Sequence, residues 1–456
     1  MCAMGVAPPP AVPVGVLNRI RSDLRFARAA RGKWPPGELS FSPGRTREFE
    51  RNPLPLLLRM HDEYGPVFTI RLLYLPIVFA LGPEANHYMT VSHASNFRWR
   101  DGSMGDLIPL LGDGLLTTDG DYHKRARRIM LPAFHREQLE ASKAIMDEEA
   151  DRALADWQPG MRLDLYAWTR RLALRVAMRA LFGFSSDARA RDAELAEAFE
   201  STLAYWGKDY VVQMMRGPGS AWRAMNRTKA ELDRMVFGEI ARRRASGERG
   251  LDILSLLLDA SDEDGSRLSD AELRDQVMTL LFAGHDTATS TVTFLFYELA
   301  RNPHEIPAAA ADGERLEMAI DETLRMYPPA WIGPRRSIEP FELAGVSVPG
   351  GVFVNYCSWA SHHLASVFPD PFSFRPDRFT PEARAALPKG AYVPFGGGSR
   401  TCIGMRFGQL EVKAIARTIL ERFRLELAEP EHEPSIRQMP TLSPRGGLPV
   451  VVRARG

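Results

Sequence analysis

Residues 395–404 read FGGGSRTCIG and place Cys402 in a glycine-rich loop. A cysteine that binds iron must be a thiolate, kept from bulk water and approached by backbone N–H groups that tune the sulfur. Glycines let the main chain fold that tightly, and Arg400 offers a forked cation suited to a carboxylate on a cofactor. Residues 405–419 are predicted to form a helix, so Cys402 lies at a helix N-terminus, where the dipole lowers a thiol pKa.

The alternative interpretation of this loop is a glycine-rich turn before a helix, with an incidentally buried cysteine. The combined spacing Phe-x-x-Gly-x-Arg-x-Cys-x-Gly favours the chemical interpretation, because five fixed positions rarely match by chance. The segment resembles the haem-binding loop of the cytochrome P450 superfamily of haem-thiolate monooxygenases. The resemblance implies haem b as cofactor, with Cys402 as the axial iron ligand and Phe395 and Arg400 among the cofactor-binding residues.

A second chemical motif falls within the longest predicted helix, residues 269–301. Ser269 and Glu272 form a predicted capping box, and Asn302-Pro303 supplies the stop signal. At 1.5 Å per residue this helix spans roughly 50 Å, enough to cross the protein. Residues 277–283 are apolar nearly all round, which predicts that the helix is buried.

Residues 283–287, which read AGHDT, interrupt this apolar helix. They resemble the oxygen-activation motif of the superfamily, which implies catalytic roles for three of them. Gly284 would let the helix open against a ligand, and Asp286 would relay protons through water. Thr287 would turn its hydroxyl towards bound dioxygen rather than its own i−4 carbonyl. The alternative is a satisfied Asp/Thr pair in a kinked buried helix, and His285 is expected to be a remote polar contact or exposed.

Glu322 and Arg325 lie one turn apart on another predicted helix, where such a pair is usually a surface ion pair. In the superfamily a Glu-x-x-Arg pair is instead buried and joined by an arginine of a downstream Pro-x-Arg-Phe segment, here residues 376–379. The resemblance therefore implies a structural network of Glu322, Arg325 and Arg378 that fixes the haem loop.

The two haem propionates are carboxylates that need cations. His123 and Arg127 lie at i and i+4 on one face of a predicted helix and resemble the propionate-binding helix of the superfamily. Arg400 and Arg335 complete the expected set, with Arg336 as the rival of Arg335. Each could alternatively be a solvated cation.

The resemblance implies a monooxygenase that inserts one oxygen atom of O2 into a hydrophobic small molecule, by C–H hydroxylation or epoxidation. No iron–sulfur cysteine cluster or flavin domain fits in the sequence, so NAD(P)H would supply electrons through a separate ferredoxin or flavodoxin and its reductase. Unless they are ordinary surface charges, the cations that would meet this partner are Arg406, Lys413, Arg417 and Lys124, Arg125 and Arg128. Candidates for the substrate pocket are Trp99–Leu111, Ala204–Met215, Phe282, Ala283, Trp331, Ile332, Thr441 and Leu442.

Two other functions remain open. A peroxide-driven haem-thiolate peroxygenase or isomerase needs no proton relay, so the presence of Asp286 and Thr287 argues against it. A non-catalytic haem sensor or carrier usually fills both axial positions with protein ligands. The sequence offers no obvious distal ligand, although His285 is the residue to check.

The elements that must position these residues are mainly helical. Strand patterns are short, with a hairpin at 66–81 and further strands at 336–343, 351–356 and 448–453. Helical patterns dominate the middle of the chain, at 134–157, 161–182, 188–206, 220–246 and 269–301. This predicts a mainly α fold with a smaller β-containing lobe, which resembles the cytochrome P450 fold, a long central helix over a haem with a proximal cysteine loop.

Composition excludes several classes of protein. The 456 residues carry a net charge of +1, which gives no electrostatic case for a nucleic-acid partner. The three cysteines make no disulfide framework, and no apolar run is long enough for a transmembrane anchor, so a soluble cytoplasmic protein is expected. Residues 1–36 are expected to be a Pro-rich leader with a basic amphipathic segment, followed by a single catalytic domain at 37–456. The segment Val16–Lys33 would either dock its apolar stripe on the protein or contact a membrane peripherally.

Overall fold

The computed structural model describes residues 16–30, 34–183, 189–208, 212–213, 215, 217–431 and 433–455. Most of the predicted leader, together with residues 31–33 of the basic segment, lies outside the described residues. The same holds for residue 188 of one predicted helix and for 209–211 and 214 of the predicted pocket segment Ala204–Met215.

The fold is mainly helical, as predicted. The α-helices of the described ranges are, in chain order, α1 Val16–Ala29, α2 Pro43–Arg51, α3 Pro53–Tyr64, α4 Pro83–His87, α5 Ile108–Leu111, α6 Gly120–Met130, α7 Arg136–Leu154, α8 Leu165–Phe182, α9 Arg189–Leu203, α10 Ala221–Ser246, α11 Ile253–Asp259, α12 Asp270–Arg301, α13 Ile306–Ala311, α14 Gly313–Met326, α15 Ser358–Ser361, α16 Pro381–Ala386 and α17 Met405–Arg422.

The strands are short, and all except the three-residue strand at 162–164 lie towards the two ends of the chain. They are β1 Gly37–Glu38, β2 Val67–Leu72, β3 Leu75–Ala80, β4 Phe97–Arg98, β5 Arg162–Asp164, β6 Gly333–Ser337, β7 Phe341–Leu343, β8 Val346–Val348, β9 Phe353–Tyr356, β10 Phe423–Leu427, β11 Ile436–Arg437, β12 Ser443–Pro444 and β13 Pro449–Ala454. The main sheet has the order β1-β2-β3-β9-β6-β4, a second sheet has the order β10-β13-β5, and β7-β8 and β11-β12 are two-stranded. The predicted hairpin at 66–81 is the antiparallel pair β2 and β3.

One predicted helix begins in the wrong place. The helical pattern at 161–182 includes β5, which pairs with β13 at the other end of the chain. The helix itself starts at Leu165, because the side chain of Asp164 accepts hydrogen bonds from the backbone N–H groups of Tyr166 and Ala167. It ends at Phe182 and is capped by Gly183, which adopts a left-handed conformation with φ 61°.

The central helix α12 has the capping box that was predicted, between Ser269 and Glu272. It runs from Asp270 to Arg301 and packs against α8, α14 and α17. Its first half belongs to a core cluster with Val277 and Leu281, and its second half to another with Val292 and Leu295. The polar motif at 283–287 therefore lies between two well-packed regions, which hold the helix at both sides of it.

The N-terminal helix α1 is docked on the β-containing part of the fold. Asp23 is buried and its Oδ1 lies 3.7 Å from Nη2 of Arg336, while Ala30 is buried in a cluster with Val67 and Val78. This supports the docked alternative for the amphipathic segment. Among the described residues, no helix combines the length and apolarity needed to cross a bilayer.

Candidate active site

A cavity of about 1180 Å³ lies between α12 and the loop that carries Cys402. Most of the predicted site residues meet in its wall, although they come from distant parts of the chain. Those brought together are His123, Arg127, Phe282, Ala283, Gly284, Thr287, Trp331, Ile332, Arg335, Phe395, Arg400 and Cys402. The wall therefore combines a thiol, four basic side chains and a large apolar surface.

The thiol of Cys402 is exposed to this cavity but enclosed by protein on all other sides. The backbone N–H of Cys402 donates to the Phe395 carbonyl at 2.9 Å, which closes the loop. Gly398 has φ 60°, and a Cβ atom there would lie 2.3 Å from the Thr90 carbonyl oxygen, so only glycine fits. Burial raises the pKa of the Cys402 thiol, although the Gly404 backbone and Arg127 act to lower it. The net direction is opposite to the one predicted from the helix N-terminus, because desolvation outweighs both of these lowering contributions.

Helix α6 presents His123 and Arg127 to the cavity. Burial, followed by the nearby charges of Arg400 and Arg127, lowers the pKa of His123 to about 3, so its imidazole is neutral and acts as a hydrogen-bonding group. Burial also lowers the pKa of Arg127, and the group that opposes this shift is the Cys402 thiolate.

Arg335 and Arg400 complete the basic part of the wall. Burial lowers the pKa of each to about 10, and the carboxylate that acts on both is Asp119, which lies 2.6 Å from Arg400 Nη2. The guanidinium of Arg335 lies 3.5 Å from the ring centroid of Trp99 and is 3% exposed. Two buried cations that share one carboxylate leave positive charge for an acidic ligand to neutralise. The wall therefore fits the two carboxylates of a haem.

Arg336, the rival of Arg335, points elsewhere. Its Nε donates to the Gly351 carbonyl at 2.9 Å, and its guanidinium packs over Phe353. Neighbouring residues of a strand alternate between its faces, so only one of the two arginines reaches the cavity.

The oxygen-activation motif is placed differently from the expectation. Thr287 lines the cavity, but its hydroxyl donates to the i−4 carbonyl of Ala283 at 2.7 Å, the bond that it was expected to forgo. Asp286 is buried and does not line the cavity, because its Oδ1 accepts from Arg170 Nε on α8 at 3.1 Å. A Cβ atom at Gly284 would meet no atom within 4 Å, so the helix has open space beside it.

His285 is 0% exposed and stacks edge-on against Phe199, with Nδ1 at 3.3 Å from Asp286 Oδ1. The expectation of an exposed histidine is wrong, and the alternative of a remote polar contact holds. Burial lowers the pKa of His285. The ring does not line the cavity, so it is not placed as a distal ligand.

The side chains of Glu322, Arg325 and Arg378, which were predicted to form a network, are joined by hydrogen bonds. Arg325 Nε and Nη2 donate to the two carboxylate oxygens of Glu322 at 2.7 and 2.9 Å, and both side chains are 0% exposed. Arg378 Nε donates to Glu322 Oε1 at 3.3 Å. Arg325 Nη1 also donates to the His362 carbonyl at 3.0 Å.

His362, which sequence reasoning missed, links this network to the cysteine loop. Its Nε2 accepts from the backbone N–H of Val393, which precedes Phe395 by two residues, at 3.0 Å. Its only sequence signal is the unusual pair His362-His363 in an otherwise apolar segment.

Several predictions at the edges of the site are wrong. Leu442 does not line the cavity, since it is fully buried in another cluster and its carbonyl accepts from the Ser290 hydroxyl. The predicted neighbour Thr441 does line the cavity, together with Met439 and Pro440, which were not predicted. Arg125 is no free cation for a partner, because Nη1 lies 2.8 Å from Glu272 and Nε lies 3.4 Å from Asp262.

Other cations that were predicted to meet a redox partner differ in whether they already form an ion pair within the chain. Arg406 is exposed. Lys413 pairs with Glu317 and Arg417 with Asp147. Residues that line the cavity without having been predicted include Phe49, Tyr74, Phe134, Ala177, Leu181, Trp222 and Ile253.

The comparisons with known proteins agree with one another. A family model described as Cytochrome P450 matches residues 42–310 and 311–448. The chain is 31% identical over 424 residues to a putative cytochrome P450 136 of Mycobacterium tuberculosis, covering 88% of this chain and 84% of the relative. It is 32% identical over 411 residues to a cyclooctat-9-en-7-ol 5-monooxygenase of Streptomyces melanosporofaciens, covering 84% and 87%.

The comparison with solved structures also finds similarity to cytochrome P450 proteins. The structure of a cytochrome P450DA heme domain has a TM-score of 0.82 and 25% identity, covering 92% of this chain and 97% of that one. A retinoic acid-bound cyanobacterial CYP120A1 has a TM-score of 0.80 and 26% identity, covering 92% and 99%. The similarity thus extends over nearly the whole chain.

Proposed function

The chain belongs to the cytochrome P450 family and is a monooxygenase of that family, and we propose that it oxygenates a bulky, largely apolar molecule held in the cavity beside Cys402. The observation that carries this proposal is that the exposed thiol of Cys402 lines the same mostly apolar cavity as Thr287 and Gly284 of α12. Haem, the cofactor of the family, supplies the activation of dioxygen when it is bound.

Cys402 is the residue that would ligate the haem iron through its thiolate. Arg127, Arg335 and Arg400 would meet the propionates, and the neutral imidazole of His123 would donate a hydrogen bond to them. Trp99 holds the Arg335 guanidinium by a cation–π contact, which orients that cation before any ligand arrives.

The reaction consumes substrate, O2, two protons and two electrons, and it yields the oxygenated product and one water. The residues of α12 must therefore orient dioxygen and control where protons enter. The open space beside Gly284 gives room for a small ligand against the helix. Thr287 would rotate its hydroxyl from the Ala283 carbonyl into that space, an exchange of one hydrogen bond for another. Asp286, held by Arg170, is the outer group of the proposed proton relay.

Electrons would come from NAD(P)H through a separate ferredoxin or flavodoxin and its reductase. Arg406 is the exposed cation nearest Cys402 in the sequence, at the start of α17. An acidic partner would meet it first and would compete with Glu317 and Asp147 for Lys413 and Arg417.

The character of the cavity wall supports the proposed substrate class. Its side chains are mainly aromatic or aliphatic, with Phe134, Leu181, Tyr205, Trp206 and Ile253 among them. Such a wall selects a large hydrophobic molecule with few polar groups. The name of one relative specifies cyclooctat-9-en-7-ol, and one similar structure contains retinoic acid, both of which are molecules of this type.

The proposal is tested on purified protein reduced with dithionite and exposed to carbon monoxide, followed by titration with apolar alcohols and acids. A strongly red-shifted Soret band and saturable shifts of the ferric spectrum with large ligands are expected. A histidine-like spectrum would reject Cys402 as ligand. Product formation with peroxide but not with O2 and a redox partner would favour a peroxygenase.

Ala177, on the α8 side of the cavity, offers a test of substrate size. Replacing Ala177 with phenylalanine adds a ring to the cavity wall, so large ligands should bind at least about tenfold more weakly, the equivalent of roughly 1.4 kcal/mol. Affinity is read from ligand-induced shifts of the ferric spectrum. Small ligands such as imidazole serve as the control and should bind unchanged. Equal loss for small and large ligands would mean that the variant is misfolded.

Replacing Thr287 with alanine is expected to uncouple the reaction. NAD(P)H oxidation should continue, while product per NAD(P)H falls roughly tenfold or more and peroxide accumulates, because the hydroxyl that orients dioxygen is gone. Thr289 is the matched control, since it lies on the same helix α12 and likewise donates to its own i−4 carbonyl, of His285, at 2.9 Å, but it is fully buried and does not line the cavity. Tight coupling in Thr287→Ala would reject the assignment.

A further inference from the structure

Asp119 occupies the N-cap position of α6, but its side chain does not cap that helix. An aspartate in this position usually accepts a hydrogen bond from a backbone N–H group of the first turn. Here both carboxylate oxygens accept from a different part of the chain. Oδ1 accepts from the backbone N–H of Trp99 at 3.0 Å, and Oδ2 accepts from that of Arg100 at 2.9 Å. The carboxylate thus forgoes a local stabilising bond in favour of the segment that begins at Trp99.

The third partner of the Asp119 carboxylate is Arg400, in the loop that carries Cys402. Arg400 Nη2 donates to Asp119 Oδ1 at 2.6 Å and to the Thr118 carbonyl at 2.5 Å. Its Nη1 donates to the Leu115 carbonyl at 3.2 Å, so the guanidinium is fixed in one orientation. Within the described part of the chain, Nε of Arg400 donates to no protein acceptor. That N–H group remains for an acidic ligand in the cavity.

The same carboxylate acts on Arg335 through Trp99. The centroid of the Trp99 ring lies 3.5 Å from the Arg335 guanidinium and 5.2 Å from that of Arg400. Asp119 holds the backbone that carries this ring, and its charge also acts directly on Arg335. One carboxylate therefore aligns two cations of the cavity wall that come from distant parts of the chain.

The charges around Asp119 match those of a ligand with two carboxylates. Burial lowers the pKa of Arg400, and Asp119 opposes that shift. The charges of Arg335 and Arg127 lower it further, so the three cations lie close enough to repel one another. The imidazole of His123 is neutral. Three guanidinium groups and the Asp119 carboxylate leave two positive charges, which the two carboxylates of haem would neutralise.

We propose that Asp119 is a positioning residue of the haem site, whose carboxylate orients Arg400 and the Trp99 ring for the haem carboxylates and whose charge offsets one of the cluster's cations. Asp119 does not line the cavity itself, so it acts through these groups. The inference rests on the proposed function, because it requires haem beside Cys402. An electron added to the iron would meet the charge of Asp119, so this residue also lowers the reduction potential of the haem-loaded protein.

Haem release tests the positioning role without turnover. Asp119→Asn keeps the shape of the side chain and removes its charge. Transfer of haem from the loaded protein to an excess of haem-free globin should become roughly tenfold faster or more, because the cations lose their common anchor. Asp121→Asn is the matched control, since Asp121 is an exposed acid at the start of the same helix that pairs with Lys124, and it should leave the rate unchanged. An unchanged rate in Asp119→Asn would overturn the proposal.

The reduction potential of the haem-loaded protein separates the charge of Asp119 from a merely structural role. Asp119→Asn should raise the potential, because a negative charge near the haem is lost. Asp119→Glu keeps that charge and should stay near the wild-type potential, although its longer side chain should also speed haem release. Asp121→Asn should leave the potential unchanged, since solvent screens an exposed charge. Equal upward shifts in Asp119→Asn and Asp119→Glu, or no shift in Asp119→Asn, would contradict the role given to the charge.

A double-mutant cycle with Arg400→Gln guards against general misfolding. If Asp119 acts through Arg400, adding Asp119→Asn to Arg400→Gln should accelerate haem release much less than it does in the wild-type background. Fully additive effects of the two substitutions would mean that Asp119 acts independently of Arg400 and would reject the proposal. Wild-type protein that takes up no haem would instead reject the proposed function.

Discussion

Replacing Cys402 with serine is expected to abolish monooxygenase activity, by at least about a thousandfold, and to remove the thiolate signature from the spectrum of the reduced carbon monoxide complex. A thiolate donates electron density to iron and favours O–O cleavage, whereas a serine hydroxyl stays protonated and binds iron poorly. The change conserves shape, and Cys402 Sγ faces the cavity, so no core packing is lost.

Cys357→Ser is the matched control for Cys402→Ser. Cys357 is fully buried in the cluster that contains Trp331 and Trp359, and it does not line the cavity. Burial raises the pKa of its thiol to about 12, so it is no candidate ligand. This variant should keep the red-shifted band. A normal thiolate spectrum in Cys402→Ser would mean that another residue ligates the iron.

The features that the sequence predicts well are those whose cause is local. The capping box of Ser269 and Glu272 depends on residues three apart, and the loop around Cys402 depends on glycines next to one another. The family and the mainly helical fold follow from such local motifs, and both predictions are confirmed.

The features that the sequence missed depend on distant partners. Asp286 is turned from the cavity by Arg170, which lies on another helix, and Arg125 is held by Glu272 and Asp262. The choice between Arg335 and Arg336 depends on the register of β6 with β9, where Arg335 pairs with Val354. No periodicity or motif in the sequence shows that these residues pair with one another.

Glu411 shows a different limit of sequence reasoning. On the helical pattern of α17 it falls on the buried face, among Val412 and Ile415, where an acid is unexpected. A sequence alone does not reveal whether such an acid has a buried partner. The structure shows that the surroundings of Glu411 are apolar and that it lines the cavity, which neither the helical periodicity nor the motif around Cys402 reveals.

Replacing Glu322 with alanine is expected to cost about 3–5 kcal/mol of unfolding free energy and to deplete the protein of haem. The variant would leave Arg325 charged, 0% exposed and without its carboxylate. Since Arg325 also holds the His362 carbonyl, and His362 holds Val393 beside the cysteine loop, the damage should reach the haem site. Stability is measured by denaturant unfolding of the haem-free protein, and haem retention by the haem-to-protein ratio after gel filtration.

Two further variants identify the cause of the stability loss expected in Glu322→Ala. Glu317→Ala removes an exposed carboxylate from the same helix, where it pairs with Lys413, and should leave stability and haem content near wild type because surface ion pairs contribute little. Glu322→Leu combined with Arg325→Met removes both charges and should recover part of the stability lost in the single variant. If the double variant is as unstable as Glu322→Ala, the stranded charge is not the cause, and the hydrogen bonds to the His362 loop carry the stability instead.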